Sequence, residues 1–215
     1  EKVKYLYKKK KENIPTGYCL ILITPDSERT MCTYLGIAGK INDQDVDENQ
    51  IKNSDLIFLE GYLWDEGEPK KDFDKAINFS KKIAMSLSDL FCVERHKKDF
   101  LDLVKNKLDI VFANEQEISS LIDSKSLNEI ISFAKQIKKE IVITRGEKGA
   151  ISVYDNHVVE CGAENNLSIK DLTGAGDLFA AGYLHGMINK FDYKERLIKG
   201  TELSSKIIQK IGARI

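Results

Sequence analysis

The chain has 215 residues, 42% hydrophobic and 31% charged, with only three prolines. That profile belongs to a folded globular chain and excludes a disordered or collagenous one; at this length roughly 70% of the unfolded surface is buried on folding. The 33 basic and 34 acidic residues leave a formal net charge of -1, so no overall field draws the chain to nucleic acid or to an anionic membrane, and neither is expected as a partner.

Cys19, Cys32, Cys92 and Cys161 are widely spaced, and none forms a CxxC pair or stands at metal-ligand spacing from His96, His157 or His185. They read as reduced thiols of a cytoplasmic protein. No apolar run approaches the roughly 18 residues that span a bilayer, and the opening EKVKYLYKKKK lacks the apolar stretch of a signal peptide. The basic run at residues 8–11, after Tyr5 and Tyr7, reads as a solvated rim, with a nucleic-acid patch as the alternative. The chain opens on Glu1 in a charged stretch, without an initiator methionine, so it is expected to begin inside a longer protein, with processing of the start as the alternative.

In chain order, residues 17–24 (GYCLILIT) are apolar and β-branched, and Pro25-Asp26-Ser27-Glu28 supplies turn chemistry before residues 30–35 (TMCTYL), which predicts a β-hairpin. Beyond Gly39, strand candidates at residues 55–60, 82–88, 109–113, 140–145 and 149–155 alternate with helical candidates at 69–81, 97–106 and 126–139. The last of these helices carries Leu127, Ile130, Ile131, Ala134 and Ile137 on one face. Two long helices are expected at 175–188 and 194–211. Alternation of this kind, with nearly all-apolar strands, predicts an α/β fold with a largely parallel sheet covered by helices on both sides.

The segment Asp171-Leu172-Thr173-Gly174-Ala175-Gly176-Asp177 sets a small-residue turn directly before the apolar helix at 175–188. A helix N-terminus offers unpaired N–H groups and a partial positive charge to phosphate oxygens. Asp177, in the first turn, is placed to accept the proton of an attacking hydroxyl; its plain alternative is a helix-terminal carboxylate beside a tight turn. Competing motifs fail. No Gly-Lys-Ser/Thr of a Walker A loop occurs, Phe179 stands where a dinucleotide fingerprint needs its third glycine, and a calcium loop from Asp43 lacks its sixth-position glycine and has Ser54 at the twelfth.

DLTGAGDLFAAGYLHG closely resembles the C-terminal signature of the PfkB, or ribokinase, family of carbohydrate and nucleoside kinases, with Leu172 departing from the commonest residue at its position. The resemblance implies a ribokinase-like three-layer α/β/α fold, with residues 1–39 contributing part of a small β lid (hairpin 17–36) and residues 40–215 forming the nucleotide-binding and catalytic core. It implies ATP and magnesium as cofactors, Asp177 as base, and the backbone of Gly174, Ala175 and Gly176 as an anion hole. Asn114-Glu115-Gln116-Glu117 looks like the family's NxxE motif, which would give Glu117 to magnesium through water; the plain alternative is an ordinary helix N-cap by Asn114. Residues 144–149 (TRGEKG) resemble the TxGxxG nucleotide segment, giving Thr144, Gly146 and Gly149, or else a plain hairpin turn. Residues 201–214 resemble the stretch that closes over the adenine side, with Thr201 and Gly212, and Asp171 and Thr173 would serve a monovalent cation such as potassium.

Residues 28–36 are similar to a segment of adenosine kinases, with Arg29 reaching the phosphates in transit or else a solvated turn residue; Glu60-Gly61-Tyr62-Leu63 resembles their next strand end, and Ser88-Asp89-Leu90-Phe91-Cys92-Val93 resembles bacterial adenosine-kinase-like members. Adenosine or a related nucleoside is therefore the first expected substrate, and a ribose- or fructose-type sugar the second. The resemblance covers about the last two-thirds of a typical member. No GGxxxN acceptor segment occurs in the chain, so activity is expected of the parent protein more than of this portion, with a nucleotide-binding pseudokinase as the alternative. Monomer and homodimer are both compatible with the family.

Overall fold

The computed structural model describes residue 4, residues 13–65 and residues 69–215; the basic run at 8–11 lies outside the described residues. The chain forms two compact units, one of residues 1–19 with 33–111 and one of residues 20–32 with 112–215. A hairpin of β1 (Thr16–Ile23) and β2 (Arg29–Gly36) makes a two-stranded sheet of its own. Its turn is closed by the Ser27 amide on the Thr24 carbonyl and the Thr24 amide on the Glu28 carbonyl, both at 2.9 Å.

In the first unit, α1 (Glu48–Asn53) is capped by Asp47, which accepts from the amides of Asn49 and Gln50. Asp47, in the stretch rejected as a calcium loop, thus starts a helix. β3 (Ile57–Glu60) and β4 (Ile83–Ser86) pair in parallel, Ile57 opposite Ile83 and Glu60 opposite Ser86, and α2 (Pro69–Phe79) connects them, opening on the proline as its fixed φ favours. α3 (Leu90–Asn106) begins seven residues before the expected 97, because Asp89 caps it by accepting from the Cys92 amide at 2.7 Å. A break at His96 (φ -115°, ψ 22°) interrupts the apolar period there. The core is aromatic: Trp64 meets Phe73 edge-on at 4.9 Å and Phe100 at 6.0 Å, and Met85, Leu87 and Val104 are fully buried, each such side chain contributing about 1.5–3 kcal/mol.

β5 (Ile110–Asn114) leads into the second unit, which holds α4 (Glu115–Ile122), α5 (Leu127–Ile137), β6 (Glu140–Thr144), β7 (Ala150–Tyr154), β8 (His157–Cys161), α6 (Ala175–Ile188) and α7 (Tyr193–Ile207). The main sheet has six strands in the order β3-β4-β5-β6-β7-β8. It is mostly parallel, as expected, but ends in an antiparallel meander, with Thr144 opposite Ala150 and Tyr154 opposite His157. Strand β8 is an addition to the expected set; a two-residue turn at Asp155-Asn156, with Asp155 at φ 48°, delivers it.

α6 occupies the expected span, while α7 stops at Ile207, short of 211. The two helices cross with main chains in contact: a β-carbon on Gly182 would lie 2.5 Å from the Lys199 carbonyl oxygen, and one on Gly200 2.8 Å from that of Phe179. On the sheet side, fully buried Tyr183 donates its hydroxyl to Glu140 Oε1 at 2.6 Å and pairs with Ser152 Oγ at 3.0 Å. Burial and the neighbouring Glu140 push that hydroxyl upward, keeping it a neutral donor. α6 is thereby fixed on two sides.

Candidate active site

Gly174, at φ 81°, turns the chain into α6. Of the three amides expected to bind an anion, that of Ala175 is engaged by the turn itself, donating to the Leu172 carbonyl at 3.2 Å. The amides of Gly174 and Gly176 have no acceptor among the described residues, and neither has that of Asp177, which the sequence argument did not include. The Gly174 carbonyl accepts the first helical bond, from the Leu178 amide at 2.9 Å. The side chain of Asp177 is exposed in the first turn of α6, next to these donors. A β-carbon at Gly176 would meet no atom within 4 Å, so the backbone is uncovered at that point.

Asp171 holds the turn from beneath. It is 1% exposed, its Oδ1 accepts from the Thr173 amide and its Oδ2 from the Gly212 amide, both at 2.9 Å. Burial pushes this carboxyl up, but the hydrogen bonds from Thr173 and Gly212 and the charge of Arg29 outweigh it and hold it below the usual range. The hairpin tip belongs to the same unit and is tied to this segment by Ser27 Oγ, which donates to the Ile169 carbonyl at 3.1 Å. Arg29 is exposed at the start of β2, and its charge reaches the Asp171 carboxyl. Gly212 takes φ 92°, and the Ile208 carbonyl accepts from the amides of Lys170 at 2.8 Å and Asp171 at 3.3 Å.

Asn114 and Glu117 form a reciprocal cap on α4: Asn114 Oδ1 accepts from the Glu117 amide at 2.8 Å, and Glu117 Oε2 accepts from the Asn114 amide at 2.8 Å. Asn114 Nδ2 also donates to Glu117 Oε1 at 2.6 Å. The N-cap alternative is thus present whatever else these residues do. In the 144–149 turn, Arg145 N donates to the Gly149 carbonyl at 2.8 Å and Gly149 N to that of Gly146 at 3.0 Å. Thr144 ends β6 and Gly146 has φ 57°. Thr201, on α7, pairs with Cys161 Sγ at 3.2 Å. An ion pair between Arg145 Nε and Glu115 Oε2 at 3.0 Å joins the 114–117 and 144–149 segments. No sequence pattern announces that pair, since its members lie 30 residues apart.

Among the described residues no group of three or more His, Cys, Asp and Glu is arranged around a metal position. Glu117 accepts from Asn114 through both oxygens, which fits a carboxylate acting on a hydrated magnesium ion and not one ligating the metal directly. Thr173 Oγ1 is buried and has no partner among the described residues; that orphaned oxygen beside the Asp171 carboxylate fits a small monovalent cation.

The fold closely matches two solved structures. Adenosine kinase from Sinorhizobium meliloti superposes with a TM-score of 0.90 at 34% identity, over 94% of this chain and 63% of that one. A probable sugar kinase from Rhizobium etli gives 0.90 at 33% identity, over 96% and 64%. By sequence, the cytidine kinase of Thermococcus kodakarensis is 33% identical over 122 residues, 54% of this chain and 42% of that protein. The chain thus spans less than two thirds of each of these relatives. Among the described residues no helix is long and apolar enough to cross a membrane. Residues 1–215 match the family described as pfkB family carbohydrate kinase, and to that family, with its ribokinase-like fold, the chain belongs.

Proposed function

We propose that the protein transfers the γ-phosphoryl group of ATP to a hydroxyl of a nucleoside, adenosine first. The observation that carries this reading is the start of α6, where the exposed carboxylate of Asp177 stands beside main-chain amides without protein acceptors. Asp177 accepts the proton of the attacking hydroxyl. The amides of Gly176 and Asp177 donate to the oxygens of the migrating group, and Arg29 adds positive charge from the hairpin. Thr144, Gly146 and Gly149 line the nucleotide, with Thr201 and Gly212 toward the base. Glu117 and Asn114 orient the water shell of magnesium, which when bound neutralises phosphate charge. Asp171 and Thr173 hold a monovalent cation such as potassium beneath the turn.

The test is ADP release from ATP, magnesium and adenosine. Asp177→Asn lowers turnover by about 10² to 10⁴ and leaves the Kd for ATP within about twofold, since the amide keeps the shape and loses proton acceptance. Turnover near wild type in that variant ends the assignment. A sugar acceptor of ribose or fructose type is the second reading, favoured by the equal likeness to the Rhizobium etli protein named as a probable sugar kinase. A panel of adenosine, cytidine, ribose and fructose, ranked by kcat/KM, decides between them.

A further inference from the structure

Arg145 follows β6 directly, and its backbone is pinned on both sides: its amide donates to the Gly149 carbonyl at 2.8 Å and its carbonyl accepts from the Lys148 amide at 3.1 Å. The side chain is only 16% exposed, and its Nε donates to Glu115 Oε2 at 3.0 Å. Nε–H is one of the five N–H donors of a guanidinium. Among the described residues, the four on Nη1 and Nη2 meet no protein acceptor. A cation this buried with a single hydrogen bond is under-satisfied, because removing the charge from water is costly until the remaining donors are met.

Glu115 opens α4 beside Asn114, and its grip on Nε fixes the guanidinium plane. The Nη edge is left as a two-pronged planar donor, whose natural complement is a pair of phosphate oxygens. The two segments bridged by this pair, 114–117 and 144–149, are those assigned above to the nucleotide. We infer that Arg145 binds a phosphate group of the donor nucleotide, presented by Glu115 as a positioning residue. This rests on the kinase reading.

Calorimetric titration of the full chain with MgATP, MgGTP and inorganic tripolyphosphate tests it. Arg145→Gln weakens all three by a common factor of about 10- to 100-fold, the value of lost charge-assisted hydrogen bonds. Arg145→Lys falls between that variant and wild type, because it keeps the charge and loses the fork. Glu115→Gln weakens all three ligands by about threefold, with an unchanged melting temperature, through looser presentation of the guanidinium. If Arg145→Gln melts early, Glu115→Gln decides. Unchanged affinity in the Arg145→Gln and Glu115→Gln variants reduces the pair to a structural tie and overturns the inference; so does a loss confined to MgATP, which marks a contact to the base. Absence of MgATP binding by the wild-type chain is a different result, one that removes the kinase reading itself.

Discussion

Two glycine turns in the second unit look alike in sequence and differ in what their glycines are for. At Gly149, with φ 83°, a β-carbon would fall 2.0 Å from the Cys161 carbonyl oxygen, so main chain and main chain already occupy the space a side chain would need. At Gly176 a β-carbon would meet nothing within 4 Å, and the residue lies in ordinary helix where glycine is a poor choice. The first glycine is demanded by the fold. The second leaves room for something outside the chain to come close to the backbone, as in the proposed approach of phosphate oxygens to the Gly176 and Asp177 amides.

Substitutions separate the two uses. Gly149→Ala forces both a backbone clash and a disfavoured φ, and is expected to lower stability by about 3 kcal/mol or more; a chemical-denaturation midpoint near wild type would place the demand for glycine elsewhere. Asp171→Asn sets an amide against the Thr173 and Gly212 N–H groups and lowers stability by about 2 kcal/mol. Because the folded Asp171 carboxyl is held below its ordinary 3.8, its contribution is fully present above that pH and is lost as pH falls through the lower folded value. The melting temperature of the wild type therefore drops more steeply than that of the variant below about pH 4. Parallel acid limbs would show that Asp171 is not the group responsible. The smallest effect sharpens the contrast most: Gly176→Ala leaves stability unchanged or raises it by up to about 1 kcal/mol, and lowers turnover about tenfold by crowding the approach. A loss of stability with unchanged turnover would reverse the roles assigned to the two turns.

The candidate catalytic turn was legible because its residues are local. Gly174, Gly176 and Asp177 are neighbours in sequence, and an apolar run beginning at Leu178 can only be the helix that follows them. The same holds for the hairpin, whose apolar, β-branched strands flank a proline-aspartate turn. Features that depend on partners far away in sequence were not legible. Asp171 was placed at the site by resemblance, but its grip on Gly212 spans 41 residues. The Arg145–Glu115 pair leaves no periodic trace. Strand β8 is short and its exposed residues outnumber its buried ones, which hides the two-residue alternation, and the break at His96 conceals the first turns of α3. The engagement of the Ala175 amide follows from the tightness of the turn, which residue types alone do not reveal.

The contact of α6 with α7 through Gly182 and Gly200 carries a mechanical consequence. Peptide planes touching directly have no compliant layer of methyl groups between them, so a push on one helix passes to the other as rotation of a stiff rod instead of being absorbed by rotamer changes. Asp177, proposed as the proton acceptor, rides on the end of that rod. A methyl group added at residue 200, buried and remote in sequence from residue 177, would thus displace α6 and with it the Asp177 carboxylate.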